Sequence, residues 1–404
     1  MKRRIKVLLA TIISLAICCS FFVGSTFAYN ESNYESAGLN FMEYQYKVSN
    51  IGYTELEIED AINLYDLEES VVAKVLVLNR DGKIDYVILD FLVDDIIEFG
   101  FDCEEYINKF YGKGKIYYAG SLDCIYIDNG QYFDLHGNSL DSSQVQKAFN
   151  DIKMEFPKAA SSSEFIISWN DVRIDSNASD EDVININDDF ITGFNHLAFD
   201  DHIFYSQSLF NLAYNNRHPD KKVDGTCIQT AMTNMAIYFN WLGYENALIN
   251  NDEIETFTWF INDTNYFKTT DSNWWKYTKK SFENYANYTG YDYYLKNYDS
   301  PTMDNYIHEI YNNRPIFSSF NAKTASGEEW SHAVIVVGYE KFSHFYQVNN
   351  RYWLFGWHDK WVEKRDDFYY LRCVDGWSTA NQDRYINFNY QYRQIRASAF
   401  MLQK

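Results

Sequence analysis

Residues 224 to 231 run Asp224-Gly225-Thr226-Cys227-Ile228-Gln229-Thr230-Ala231. Gly225 ends a loop. Thr226 followed three residues later by Gln229 reads as a capping box, so a helix is predicted to begin here. Ile228, Ala231, Met235, Phe239 and Leu242 then recur at spacings of three and four, and Gly243 is placed to stop the helix. Cys227 falls in the first turn, where free amide groups and the positive end of the helix dipole stabilise a thiolate. A lone cysteine in a helix is more often a small buried hydrophobe, so the chemical reading needs a second residue.

Working outward, Trp330-Ser331-His332-Ala333-Val334-Ile335-Val336-Val337-Gly338-Tyr339 places one histidine at the entrance of an apolar strand, which reads as buried on both faces. A further strand is expected over Phe368 to Val374, ending in Asp375-Gly376-Trp377. A carboxylate there is suited to hold an imidazole in one tautomer and orientation. A nucleophile at a helix start, a base on a strand and an orienter at the end of the next strand is the logic of thiol catalysis. Asn349, in Tyr346-Gln347-Val348-Asn349-Asn350, competes with Asp375 as orienter. The Trp-rich segment between them (Trp353, Trp357, Trp361) then reads as an inserted hairpin. His344 and His358 fall in that insertion without a visible partner.

The first half carries no such constellation. Residues 54–66 read as a helix. Ser70 to Leu78 and Ile84 to Leu92 read as strands joined by a tight turn at Asp81-Gly82. Cys103 to Tyr111 reads as a helix. Short strands follow over Ile116 to Ala119, Cys124 to Ile127 and Tyr132 to Leu135, and a last helix covers Ser142 to Phe149. His136 reads as a surface turn residue. Ala159-Ala160-Ser161-Ser162-Ser163 suits a linker, and 174–201 holds acids without Lys or Arg. The calcium-loop spacing Asp-x-Asp-x-Asp-Gly is absent there, so the stretch reads as a solvated connector, and no cofactor is expected.

The 404 residues fit two domains. A formal charge of −22 argues against nucleic acid as the main partner, because phosphate binding needs clustered positive charge. Lys2, Arg3, Arg4 and Lys6, an apolar run from Ile5 to Val23 and a small-residue site at Ala28 predict an export signal over residues 1–28, hence a secreted chain without a later membrane span. A lipid anchor at Cys18 is the lesser option. Cys103, Cys124, Cys227 and Cys373 remain. A Cys103–Cys124 bridge and two buried thiols are equally compatible with the spacing. Trp274, Trp275, Tyr291, Tyr293 and Tyr294 serve either a core or a substrate groove, with core the commoner use.

Gly225-Thr226-Cys227-x-x-x-Ala231, Ser331-His332-Ala333-Val334-x-Val336-x-Gly338-Tyr339 and Tyr370-Leu371-Arg372-x-Val374-Asp375-Gly376-Trp377-Ser378 resemble the papain-like superfamily. Within it they resemble exported bacterial proteins with a domain like the bacteriocin-leader-processing (double-glycine) peptidases. The resemblance spans about residues 200 to 402. It implies an α+β fold in which a papain-like peptidase domain, helix against antiparallel sheet, follows a small α+β prodomain-like unit. The expected organisation is 1–28 signal peptide, 29–158 α+β propeptide-like domain, 159–199 acidic linker and 200–404 peptidase domain. It also implies Cys227 as nucleophile, His332 as base and Asp375 as orienter. The superfamily commonly places an oxyanion-hole Gln six residues before the Cys; that position is Lys221, which leaves Gln207 as the candidate. The N-terminal unit more loosely resembles the propeptide of streptopain-type proteases, which implies an inhibited precursor. The resulting expectation is a monomeric cysteine peptidase acting on a peptide or protein substrate through an acyl-enzyme. The alternatives are an amidase or acyltransferase using the same triad on a non-protein substrate, and an inactive papain-like binding protein.

Overall fold

The computed structural model describes residues 31–49, 51–91, 94–120, 123–135, 137, 139–140, 169, 195–196, 207–223, 225–268, 274–323, 329–349, 352–353, 357–358, 361–376, 383–388 and 394–404. The expected signal segment, the helix over Ser142 to Phe149, His136 and nearly all of the 159–199 linker lie outside them.

The first described element of the N-terminal unit is helix α1 (Glu31–Val48), which no expectation above includes. Tyr34, Ala37, Phe41, Met42 and Gln45 lie buried at helical spacing, and Tyr44 and Tyr46 are buried as well, so its last turns are covered on more than one side. Gly38 lets the helix close on the sheet, since a Cβ there would sit 2.4 Å from Leu76 Cδ1. The unit continues through β1 (Leu56–Tyr65), β2 (Val71–Arg80), β3 (Lys83–Asp90), β4 (Asp95–Phe101), the one-turn helix α2 (Glu104–Ile107), β5 (Ile116–Gly120), β6 (Asp123–Asp128), β7 (Gln131–Asp134) and β8 (Ser139–Leu140). The β2–β3 turn is as expected, with positive φ at both Asp81 and Gly82.

Two local expectations are overturned. Residues 56–65 form strand β1, not a helix, pairing antiparallel with β2. A register shift between Ile58 and Asp60 breaks the period of two and leaves apolar residues at a spacing that imitates a helix. The helix expected over Cys103 to Tyr111 is only α2. Lys109 and Phe110 continue it with turns closed three residues back, and Gly112 then takes φ +73°.

The C-terminal unit contains β9 (Asn195–His196), α3 (Gln207–Arg217), α4 (Cys227–Trp241), α5 (Glu253–Asp263), α6 (Trp274–Thr289), β10 (Asp292–Tyr298), α7 (Met303–Tyr311), β11 (Ile316–Lys323), β12 (Glu329–Asn349), β13 (Tyr352–Trp353), β14 (Trp357–His358), β15 (Trp361–Val374), β16 (Asp383–Asn387) and β17 (Gln394–Gln403). Helix α4 begins and ends where expected. Its C-terminus is a Schellman motif: Tyr244 N–H donates to Phe239 O (3.1 Å) and Gly243 N–H to Asn240 O (3.0 Å). Gly243 supplies the φ of +84° that this requires. The capping box at its start does not form. Thr226 Oγ1 donates instead to Asn211 Oδ1 (2.5 Å) and Gln229 Nε2 to Thr264 Oγ1 (2.8 Å), so tertiary partners have taken both side chains.

The fold is α+β, as expected, with one large mixed sheet. Its strand order is β10-β17-β11-β12-β15-β16-β4-β3-β2-β1-β5-β6-β7-β8, and β9 pairs with β12. The order runs through both units. They are joined where β16 pairs antiparallel with β4, from Asp383↔Phe101 to Ile386↔Glu98. Phe41, Phe99, Trp169, Phe368, Tyr370 and Tyr385 share one aromatic core across that join, and Phe99 stacks on Tyr385 at 4.7 Å. Trp169, within the stretch read as a linker, is buried there, edge-on to Phe41. The inserted hairpin is present: β12 and β15 pair out to Asn349↔Trp361.

Candidate active site

Cys227 is the first residue of α4, and that helix packs on β12. The buried stripe of Ala231, Met235 and Phe239 fixes the helix against the sheet. Each large apolar side chain so buried contributes roughly 1.5–3 kcal/mol. Amide groups of Ala333, Ile228 and Cys227 itself lie at the sulfur. Ala333 directly follows His332, so the helix start and the strand start meet. Burial pushes the Cys227 thiol above its ordinary range, and the three amides pull it back only in part.

His332 is 4% exposed. Its Nε2 lies 2.9 Å from the main-chain carbonyl oxygen of Asp375. A carbonyl only accepts, so Nε2 carries the hydrogen and Nδ1 is the basic nitrogen of the neutral ring. Burial pushes the His332 pKa from 6.5 down to about 4. The Asp375 carboxylate opposes this, and the charges of Arg384 and Lys109 add to it. Both shifts run toward the uncharged forms, a thiol at Cys227 and a neutral imidazole at His332.

The carboxylate of Asp375 accepts from Arg384 Nη1 at its Oδ2 (2.6 Å). Arg384 is 1% exposed. On its other side, Nε (2.8 Å) and Nη2 donate to Glu98 Oε1, which also accepts from Tyr86 Oη (2.5 Å). The guanidinium lies 4.0 Å from the ring centre of Tyr106. A guanidinium stays charged at any working pH and is stable here only because two carboxylates and an aromatic face enclose it. Glu98 and Tyr86 were not read as site residues. The sequence signal was a lone acid in the apolar strand Ile96-Ile97-Glu98-Phe99, a pattern that demands a buried partner.

Gly376 follows with φ +72°, and a Cβ there would stand 3.1 Å from Thr230 Cγ2. Its carbonyl accepts from the Gln207 N–H at the start of α3 (2.7 Å). The structure thus brings Cys227, His332, Asp375 and Gln207 to one place. Asn349 is elsewhere. It sits opposite Trp361 at the far end of the ribbon, seventeen positions along β12 from His332, roughly 55 Å if the strand ran straight. The register does not let it orient that ring.

Trp274 and Trp275 belong to the core, with the Arg396 guanidinium over both rings. Tyr291 and Tyr294 pack against the core, and Tyr293 is exposed. Cys103 and Cys124 are buried and unbridged. Among the described residues there is no cluster of three His, Cys, Asp or Glu able to hold a metal, and no helix long and apolar enough to cross a membrane.

Residues 203–389 match the model of the Peptidase_C39 like family. The matched stretch includes Cys227, His332 and Asp375, and it supports a C39/papain-like domain of the cysteine-peptidase type. Neither the curated proteins nor the solved structures contain a match to this chain.

Proposed function

We propose that the chain is an exported, monomeric cysteine peptidase in which Cys227 attacks a peptide carbonyl with His332 as base. The observation that carries this is the meeting of helix α4 and strand β12: the Cys227 sulfur lies at the main-chain amide of Ala333, the residue after His332, whose ring meets the Asp375 carbonyl. Because the resting pair is neutral, His332 Nδ1 removes the thiol proton as the Sγ–C bond forms. The same proton goes to the leaving amine as the C–N bond breaks, and water then hydrolyses the acyl-enzyme. The amide of Cys227 and the side chain of Gln207 are the proposed oxyanion donors.

The precursor expectation is carried forward as latency of the intact chain. Burial holds the His332 ring to low basicity and shifts the Cys227 thiol upward, both of which favour an uncharged, unreactive resting site. Polar substrate at the sulfur is the proposed activating change. The test is intact-mass analysis of the secreted chain after an epoxide-type thiol-protease inhibitor, beside Cys227→Ala, followed by a peptide-library screen. One adduct, absent from the variant, with peptide cleavage lost in parallel, is the expected result. Equal modification of both proteins would sink the assignment. A clean adduct with no peptide cleaved would shift the reading to an amidase or acyltransferase.

A further inference from the structure

We infer that Glu98, in the N-terminal unit, is a positioning residue for this site: through Arg384 it fixes Asp375, and through Asp375 the imidazole of His332, which makes the N-terminal unit a standing part of the reacting centre. The inference rests on the reading of Cys227 and His332 as the reacting pair.

The geometry is a continuous relay. Glu98 Oε1 takes two donors from one guanidinium, Nε and Nη2, while Nη1 of the same planar group holds Asp375 Oδ2. A planar fork gripped on one edge has its opposite edge aimed. The Asp375 peptide is thereby set so that its carbonyl meets His332 Nε2 at 2.9 Å. Tyr86 Oη on Glu98 and the Tyr106 ring beneath the guanidinium lock the far end, and both come from the N-terminal unit. Strand pairing delivers the whole group, because β4 and β16 match Ile386 to Glu98 and Arg384 to Gly100. All four members, Glu98, Arg384, Asp375 and His332, are buried, so water cannot substitute for a lost partner without opening the join. A chain stripped of residues 29–158 would leave Arg384 facing water on one edge and the β16 edge unpaired.

The test is the pH profile of Cys227 alkylation by iodoacetamide in the full-length chain, read by mass spectrometry at that residue. Wild type, Glu98→Gln, Glu98→Asp and His332→Ala are compared. Glu98→Gln leaves a neutral Arg384–Asp375 pair and an acceptor for Tyr86, so the fold is expected to persist. Its alkylation rate at pH 7 is expected to fall at least tenfold with a displaced profile. Glu98→Asp, which keeps the charge but withdraws it by one methylene, should lie between. A wild-type rate and profile for Glu98→Gln, with His332→Ala clearly altered, would overturn the inference and leave the thiol–imidazole pair standing. If His332→Ala itself matched the wild type, the pair would fail and the inference with it. Should Glu98→Gln not fold, Glu98→Asp decides: a profile superimposable on the wild type overturns the inference.

Discussion

Arg384 concentrates the energetics of the site in one side chain. Two buried carboxylates on one buried cation are tolerable only while the cation is present, because either carboxylate alone faces a large desolvation cost. Arg384→Met is therefore expected to destabilise the chain by about 3–5 kcal/mol, measured by urea unfolding. Arg384→Lys should recover only part of this, since one ammonium cannot grip Glu98 and Asp375 at once. Glu340 carries a second prediction. It is 2% exposed, and burial raises its pKa from 4.5 to about 8. Between those values the folded chain keeps a proton that the unfolded chain has lost, so stability falls as pH rises through that window. At 1.36 kcal/mol per unit the loss is roughly 3–5 kcal/mol. Glu340→Gln should raise the unfolding midpoint at pH 8 and leave it nearly unchanged at pH 4.

The element that decides the site is the turn after β15. Asp375 and Gly376 present consecutive carbonyls, one to His332 and one to the start of α3. That requires the left-handed backbone of Gly376 and no Cβ against Thr230. Gly376→Ala is expected to cost about 1–2 kcal/mol in thermal unfolding, a unit of left-handed strain plus the contact on α4. It should also slow Cys227 alkylation, because the same turn holds the imidazole. A slowed reaction without destabilisation, or the reverse, would separate the two effects. Helix α4 shows the limits of local reading. Its stripe and its C-terminal glycine predicted both ends, yet the Thr226 and Gln229 side chains went to Asn211 and Thr264, partners far along the chain that no cap rule considers.

At the scale of the whole molecule, one sheet and one aromatic core cross the boundary between the two units. The chain is expected to unfold in one cooperative step, with far-ultraviolet circular dichroism and tryptophan fluorescence superimposable in urea. Two separated transitions would mean that the β4–β16 join contributes little. The pH response is also a property of the whole. His332 is depressed from 6.5 to about 4, so between those values the unfolded chain binds a proton that the folded chain does not. Stability from this group is complete above pH 6.5 and falls as pH drops to about 4, by roughly 3 kcal/mol. The opposite slope from Glu340 cancels this one between about pH 4.5 and 6.5, so the two groups together predict a plateau there, a fall from about pH 6.5 to 8 as Glu340 acts alone, and only a small fall from about pH 4.5 to 4.

Elements with local signals are legible in the amino-acid order alone: the start and end of α4, the Asp81-Gly82 turn with its flanking strands, the apolar β12 and the long inserted ribbon. Cys227, His332 and Asp375 were legible as candidates because each stands at or near the boundary of an element with a local signal: a helix start, the entrance of an apolar strand and a strand end. Helix α1 carries a local signal too, in the spacing of Tyr34, Ala37, Phe41 and Met42. Strand β1 was misread because a register shift disguised its alternation. Which partners the buried charges find is set by the packing of distant elements. That Asp375 meets His332 through its carbonyl, and holds Arg384 with its carboxylate, depends on the path of one turn. That Glu98 closes the relay depends on β4 pairing with β16 across 286 residues of chain. Burial makes such pairings obligatory, since an unpaired charge in the interior is costly, but sequence spacing carries no information about which distant partner satisfies it.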